Sequence, residues 1–224
     1  MKPEASSLHP FVRSLATVRF VDCFNPYSDR CLVHDRLDAP QQRANLLSAM
    51  LREAEVRGVD SIWIGRDLGY RGGRRTGLAL TDDVHVHRHA SRWGLPAALT
   101  TTGSAMSERT ATVIWNVLDD IREGVFLWNV FPLHPHEPGT PFSNRQHNAR
   151  ERRAGEDVLG ELVERLKPNR LIAIGNDATD AVRRLELQLP ILSVRHPSYG
   201  GQTQFISQMK ELYGDQAIGQ RTLI

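Results

Sequence analysis

Asp67 stands just past a short apolar run, 61–65, in a stretch (61–77) that holds five glycines, four arginines and no other carboxylate. A strand that runs into a glycine-rich basic loop brings backbone amides close to an anion. The stretch therefore predicts a phosphate-bearing ligand held beside a single acid. Asn129 is the one polar residue inside a second apolar run, Val125 to Pro132. His196, followed by Pro197 and Ser198, ends another such run, 190–194. A carboxylate can activate water or stabilise a developing cation. A side-chain amide offers a donor and an acceptor side by side, and a histidine is a hydrogen-bonding group that titrates near neutral pH. Each residue also has a bland reading: a loop carboxylate, an amide pairing with backbone, a turn histidine. Their common place at the ends of apolar runs favours the chemical one.

The elements needed to position these residues can be read from periodicity. Ala44, Leu47, Met50, Leu51 and Ala54 recur at helical spacing, with Asp38 and Pro40 as start signals and Gly58 as the stop. A second helix starts at Ser107-Glu108, runs through Val113, Ile114, Val117 and Ile121, and stops at Gly124. A third carries Val158, Leu159, Leu162, Val163 and Leu166 up to Pro168; the strand 171–175, the helix 176–187, the strand 190–194 and the helix 203–213 follow. Strands alternating with helices imply an α/β fold, a three-layer α/β/α sandwich around a four-stranded parallel sheet. In such a sheet the strand ends share one edge, so Asp67, Asn129 and His196 converge on one cleft. The whole chain, 1–224, reads as a single domain with its core at about 60–213. An irregular N-terminal extension, 1–40, carries a helix near 10–20, and a loop-rich insertion, 81–106, holds His85, His87, His89 and Trp93.

Composition narrows the class. The 224 residues are 40% hydrophobic and 24% charged, with a formal charge of +2, which fits a soluble globular protein without a basic tail. Two cysteines, Cys23 and Cys31, are too few for a disulfide scaffold and fit a reducing cytoplasm. The opening MKPEASSLHP lacks the apolar core of a signal peptide, and no run is long enough to span a bilayer, so a cytoplasmic location is expected. The histidines at 85, 87, 89, 134 and 136 have no partner carboxylates at a recognisable ligand spacing, so no metal or other cofactor is expected. The phosphate-loop lysine pattern and the dinucleotide fingerprint are both absent.

Three motifs in order resemble those of the uracil-DNA glycosylase superfamily. Gly65-Arg66-Asp67-Leu68-Gly69, with Gly72 and Thr76-Gly77, resembles the first motif, in the form seen in single-strand-selective and mismatch-specific members. Trp128-Asn129-Val130-Phe131-Pro132-Leu133 resembles the strand whose asparagine reads the pyrimidine edge, and His196-Pro197-Ser198 matches the second catalytic motif. The resemblance implies a monofunctional DNA glycosylase, acting as a monomer, that flips a pyrimidine out of single- or double-stranded DNA and hydrolyses its N-glycosidic bond. Asp67 and His196 are the implied catalytic residues, the first for the sugar cation and water, the second for the base's O2. Asn129, Gly69, Leu80 and Phe131 are implied to hold the base, and Arg71, Arg74, Arg75, Ser198 and Tyr199 to contact DNA.

Two departures bear on the substrate. The classical uracil enzymes of the family carry a tyrosine at the position of Gly69, where it blocks a substituent at C5; the glycine resembles members that accept bulkier pyrimidines. The aromatic that stacks on the base is replaced by Leu80, leaving Trp128, Phe131 or Tyr70 for that role. Two substrates follow: uracil, or a 5-substituted pyrimidine such as the hydroxymethylated or glucosylated bases of some phages, whose removal would be antiviral defence. A non-catalytic DNA-binding module built on the same loop is the alternative of another class. After His196-Pro197-Ser198, Tyr199-Gly200-Gly201 leaves Tyr199 as the bulky group of that loop.

Overall fold

The computed structural model describes residues 8–214. In chain order the elements are α1 (Pro10–Leu15), β1 (Cys23–Phe24), α2 (Ala39–Arg57), β2 (Ser61–Asp67), α3 (Gly73–Thr76), α4 (Val86–Arg92) and α5 (Arg109–Leu118). They continue with β3 (Val125–Phe131), β4 (His134–Pro135), α6 (Ala149–Leu166), β5 (Arg170–Ile174), α7 (Asn176–Arg183), β6 (Ile191–Val194) and α8 (Gln202–Tyr213). Four parallel strands lie in the order β3-β2-β5-β6. Alternate residues along each strand enter opposite cores. Ile62, Ile64, Phe126, Trp128, Leu171 and Ala173 join the layer holding α1, α2, α6 and α7. Trp63, Val125, Leu127, Ile172 and Ile174 join the layer holding α5 and α8. Burial of both faces is why these strands read as unbroken apolar runs.

The chain leaves β2 for β3 on one side and later returns to place β5 on the other. The strand order therefore reverses between β2 and β5, and a crevice opens beyond their carboxyl ends.

Several expectations needed correction. The strand at 61–65 continues through Asp67, which sits on the last strand position paired with Phe131 rather than beyond it. The insertion at 81–106 contains α4, whose Val86 and Ala90, with Trp93 just after it, pack into the main core. Its His85 binds Asp82 and lies flat against Trp115, and its His89 bonds the Thr81 hydroxyl. The N-terminal region is less irregular than expected: Phe11, Val12 and Leu15 belong to the main core, and β1 pairs antiparallel with β4. Among the described residues no helix is long and apolar enough to cross a membrane.

Candidate active site

The crevice beyond the strand ends is a cavity of about 510 Å³. Asp67 enters it from β2, Gly175 and Asn176 from the end of β5, and His196, Ser198 and Tyr199 from the loop after β6. Leu80, Gly69 and Glu108 complete the side nearest the glycine loop. A second cavity, about 420 Å³ between Arg57, Trp93 and Arg122, lies at the opposite strand ends, away from these groups.

Asp67 is anchored at both oxygens. One meets Nδ1 of His147, and the other accepts from Nε of Arg66 at 2.9 Å. Arg66 reaches on to Asp177 at 2.9 Å, which ties the end of β2 to the first turn of α7. A carboxylate has about four lone-pair sites, so two partners orient it and leave room for water. His147 comes from the loop before α6, and a chain of contacts places it. Asn148 and Glu151 form a capping box at the start of α6. Glu151 in turn holds Arg145 through paired bonds of 2.6 and 2.7 Å, and Arg145 donates to the His136 carbonyl at 2.9 Å. The Phe131 ring packs edge-on against His147 at 6.1 Å.

His196 has a defined tautomer. The backbone N–H of Ser198 points at Nδ1 from 3.2 Å, and a backbone amide can only donate. Nδ1 therefore accepts, and Nε2 carries the proton. The Ser198 hydroxyl is also bound there, 2.7 Å from Nδ1. Burial, with the neighbouring Arg66 and Arg195 cations, pulls the imidazole pKa below its ordinary 6.5, against a smaller upward pull from Asp177. The side chain is thus a neutral N–H donor. Gly175, at a φ of +90°, makes room for it: a Cβ there would lie 3.1 Å from the His196 Cβ.

Asn129 is 1% exposed, and neither its Oδ1 nor its Nδ2 has a partner in the protein. A buried amide left so is costly and rare. Its oxygen lies 2.5 Å from where a Cβ on Gly65 would stand, with Leu80 3.0 Å from the same point. Gly65 is therefore the residue that lets the Asn129 amide come close to Leu80; Leu80 lines the cavity, and Asn129 lies behind it rather than in its wall.

The remaining expected residues divide. Gly69, Leu80, Ser198 and Tyr199 line the cavity, and Tyr199 is 98% exposed at a φ of +50°. Phe131 does not line it. It packs between Phe20 and His147, and so supports Asp67's partner instead of facing a base. Trp128 points into the opposite core against Phe11. The arginines of the glycine loop also separate. Arg71 is exposed, but Arg75 is buried against Asp83 at 2.6 Å, and Arg74 is 5% exposed with its guanidinium 4.0 Å from the centre of the Phe24 ring. Both guanidinium groups are thus packed inside the protein, and of these three arginines only Arg71 is exposed.

His147 and Glu108 escaped sequence reasoning. His147 meets an acid 80 positions away with no spacing to announce it. Glu108 reads as a helix start, yet its side chain makes no capping bond to α5 and instead lies against Gly69. Among the described residues no cluster of histidine, cysteine, aspartate and glutamate has a metal-binding arrangement.

Residues 63–213, more than half of the chain, match the family model of the uracil DNA glycosylase superfamily. Among solved structures, wild-type SMUG2 of Pedobacter heparinus aligns with a TM-score of 0.56 at 14% identity, over 92% of this chain and 93% of that one. A tyrosine-to-glycine mutant of UNG from Nitratifractor salsuginis gives a TM-score of 0.40 at 20% identity over 81% of both chains. At such identities the first likeness speaks for the fold, and the second carries no weight. No curated protein sequence matched the chain.

Proposed function

This chain belongs to the uracil DNA glycosylase superfamily and is a DNA N-glycosylase, and from that premise we propose that it flips a 5-substituted pyrimidine into the cavity and hydrolyses its glycosidic bond. The observation that carries the reading is the meeting of Asp67 and His196 across one cavity beside Gly69, which has no side chain of its own and is bordered there by the Glu108 carboxylate. A base inside a stacked duplex is out of reach of such a site, so the nucleotide must leave the stack. Cleavage then leaves positive charge on the sugar and negative charge on the base. The Asp67 carboxylate, fixed by His147 and Arg66, holds the water that adds to the sugar carbon and favours the cation beside it. The Nε2–H of His196 donates to O2 of the base as negative charge gathers there.

The unpaired amide of Asn129 supplies a donor and an acceptor to the base edge. No lysine lines the cavity, which supports hydrolysis to an abasic site without a covalent amine intermediate. Exposed Arg71 and Arg195 are placed for phosphate contacts, and exposed Tyr199 for the stack that the base vacates. The Asn129 amide also admits a second reading, a hydroxymethylated or glucosylated cytosine of viral DNA. No protein bond fixes which way that amide faces, so cytosine-type and uracil-type edges can both be met.

The test is base release from matched single- and double-stranded oligonucleotides carrying uracil, thymine, 5-hydroxymethyluracil, 5-hydroxymethylcytosine or its glucosylated form, read as alkali-labile sites. Release of a 5-substituted base that is lost in Asp67→Ala supports the proposal. Release of uracil alone, or of no base at all, contradicts it.

A further inference from the structure

The carboxylate of Glu108 occupies a notch that two glycines create. Its oxygens lie 3.3 and 3.4 Å from where a Cβ on Gly69 would stand, and a Cβ on Gly72 would overlap one of them, Oε2. The side chain therefore lies beside the position from which the classical uracil enzymes project a tyrosine over C5. It lines the same cavity as Asp67 and His196.

A structural role does not account for it. Glu108 is the N-cap of α5, but its side chain makes no capping bond. The backbone N–H of Glu108 is held by Asp82 at 2.6 Å, so the helix start is already fixed without the carboxylate. Among the described residues no hydrogen bond or ion pair engages its oxygens. The charged groups around it are Asp82, which repels a negative charge there, and Arg71, whose Nε is bonded to the Tyr70 hydroxyl at 2.7 Å. Burial and Asp82 raise its pKa above the usual carboxylate value, while Arg71 draws it down. A partly buried carboxylate with nothing donating to it is poised for a donor from elsewhere.

We propose that Glu108 is the specificity residue for the C5 side of the flipped base, accepting a hydrogen bond from a hydroxyl carried there. This rests on the reading of the cavity as a site for 5-substituted pyrimidines, and it narrows that class to hydroxymethyl bases and their hydroxyl-bearing derivatives. A methyl group at C5 offers the carboxylate nothing and takes away its water. A site built around a hydroxyl rejects the analogue that lacks one, because the acceptor, cut off from water by the bound base, is then left unpaired.

Thymine and 5-hydroxymethyluracil differ by that hydroxyl, so their single-turnover release rates from matched oligonucleotides isolate it. In the wild-type enzyme 5-hydroxymethyluracil should be released faster than thymine. Glu108→Ala should lower the ratio of the two rates roughly 10- to 100-fold, the size of a hydrogen bond to a charged group. Glu108→Gln keeps the shape and a carbonyl acceptor, and should give a ratio between the wild type and Ala. It also serves if the Ala variant does not fold. An unchanged ratio in these variants overturns the role of Glu108 and leaves the substrate reading intact. So does a loss that follows the 4-amino group, seen as a fall in 5-hydroxymethylcytosine against 5-hydroxymethyluracil. If the wild-type enzyme releases no 5-substituted base, the substrate reading itself fails and the inference falls with it.

Discussion

Two groups of charged and polar side chains differ in what remains once the protein's own hydrogen bonds are made. In one, Arg43, 0% exposed, grips Asp35 through bonds of 2.5 and 2.9 Å and gives its Nε to the Arg75 carbonyl at 2.8 Å. Arg75 is matched to Asp83, and Asp82 to His85 and the Glu108 backbone. In the other, the Asn129 amide has no partner, the Glu108 carboxylate has no donor, and His196 uses Nδ1 within the protein while Nε2 carries the free proton. Buried polar groups are normally paired, so the first group explains itself as architecture. The second keeps donors and acceptors that the protein itself leaves unused.

The comparison breaks most readily at Asp67. Asp67→Ala should cut base release by about 10²- to 10⁴-fold, the range for an acid–base group, in single-turnover assays. A smaller loss would move the chemistry to another residue. The opposite pattern is expected on the structural side. Asp35→Ala strands the Arg43 charge in the core and should cost about 3–5 kcal/mol in urea unfolding, without changing the rate per folded molecule. If stability barely moves, Arg43 finds solvent and the division into two groups is too sharp.

Asn129→Ala sharpens the contrast, because it deletes a buried group from the unpaired side. Losing the amide's polar contribution offsets the space it leaves, so stability should stay within about 1 kcal/mol, while base release drops roughly tenfold or more. A large loss of stability with a matching loss of rate would make Asn129 an ordinary core residue.

The smallest effect is in the pH profile. Burial, Arg66 and Arg195 lower the His196 pKa, so the neutral ring persists as pH falls through 6.5. The acid limb of the single-turnover rate should therefore lie below that value, and protonation should remove activity only beyond it. A limb above 6.5 would mean that the ring is cationic where the chemistry runs, and its N–H would no longer be tuned by its surroundings.

Much of this was legible in the sequence, for physical reasons. Doubly buried strands give continuous apolar runs, so β2, β3, β5 and β6 could be read and their polar interruptions noticed. Asp67 and His196 stand at strand ends, where the fold gathers residues distant in the chain. His147 was not legible, because its meeting with Asp67 depends on a loop pinned by Arg145 and Glu151, not on any spacing. Arg74 and Arg75 misled because a basic glycine loop resembles a phosphate grip. Asp82 and Asp83, a few residues on, were the available sign that one arginine was already matched. Phe131 misled for a related reason: a strand-end aromatic can face a ligand or brace a neighbour, and only the contacts decide between the two.

The central claim is that water held by Asp67 adds to the sugar carbon as the base departs. Mass spectrometry of the products formed in ¹⁸O-enriched water tests it most directly, using an oligonucleotide with one 5-hydroxymethyluracil. The expected result, with the abasic aldehyde reduced at once by borohydride to stop oxygen exchange, is a free, unlabelled base and an abasic sugar carrying one ¹⁸O, both formed about 10²- to 10⁴-fold more slowly by Asp67→Ala. An oligonucleotide that binds the protein yet keeps its mass would contradict the account and leave a DNA-binding module in its place.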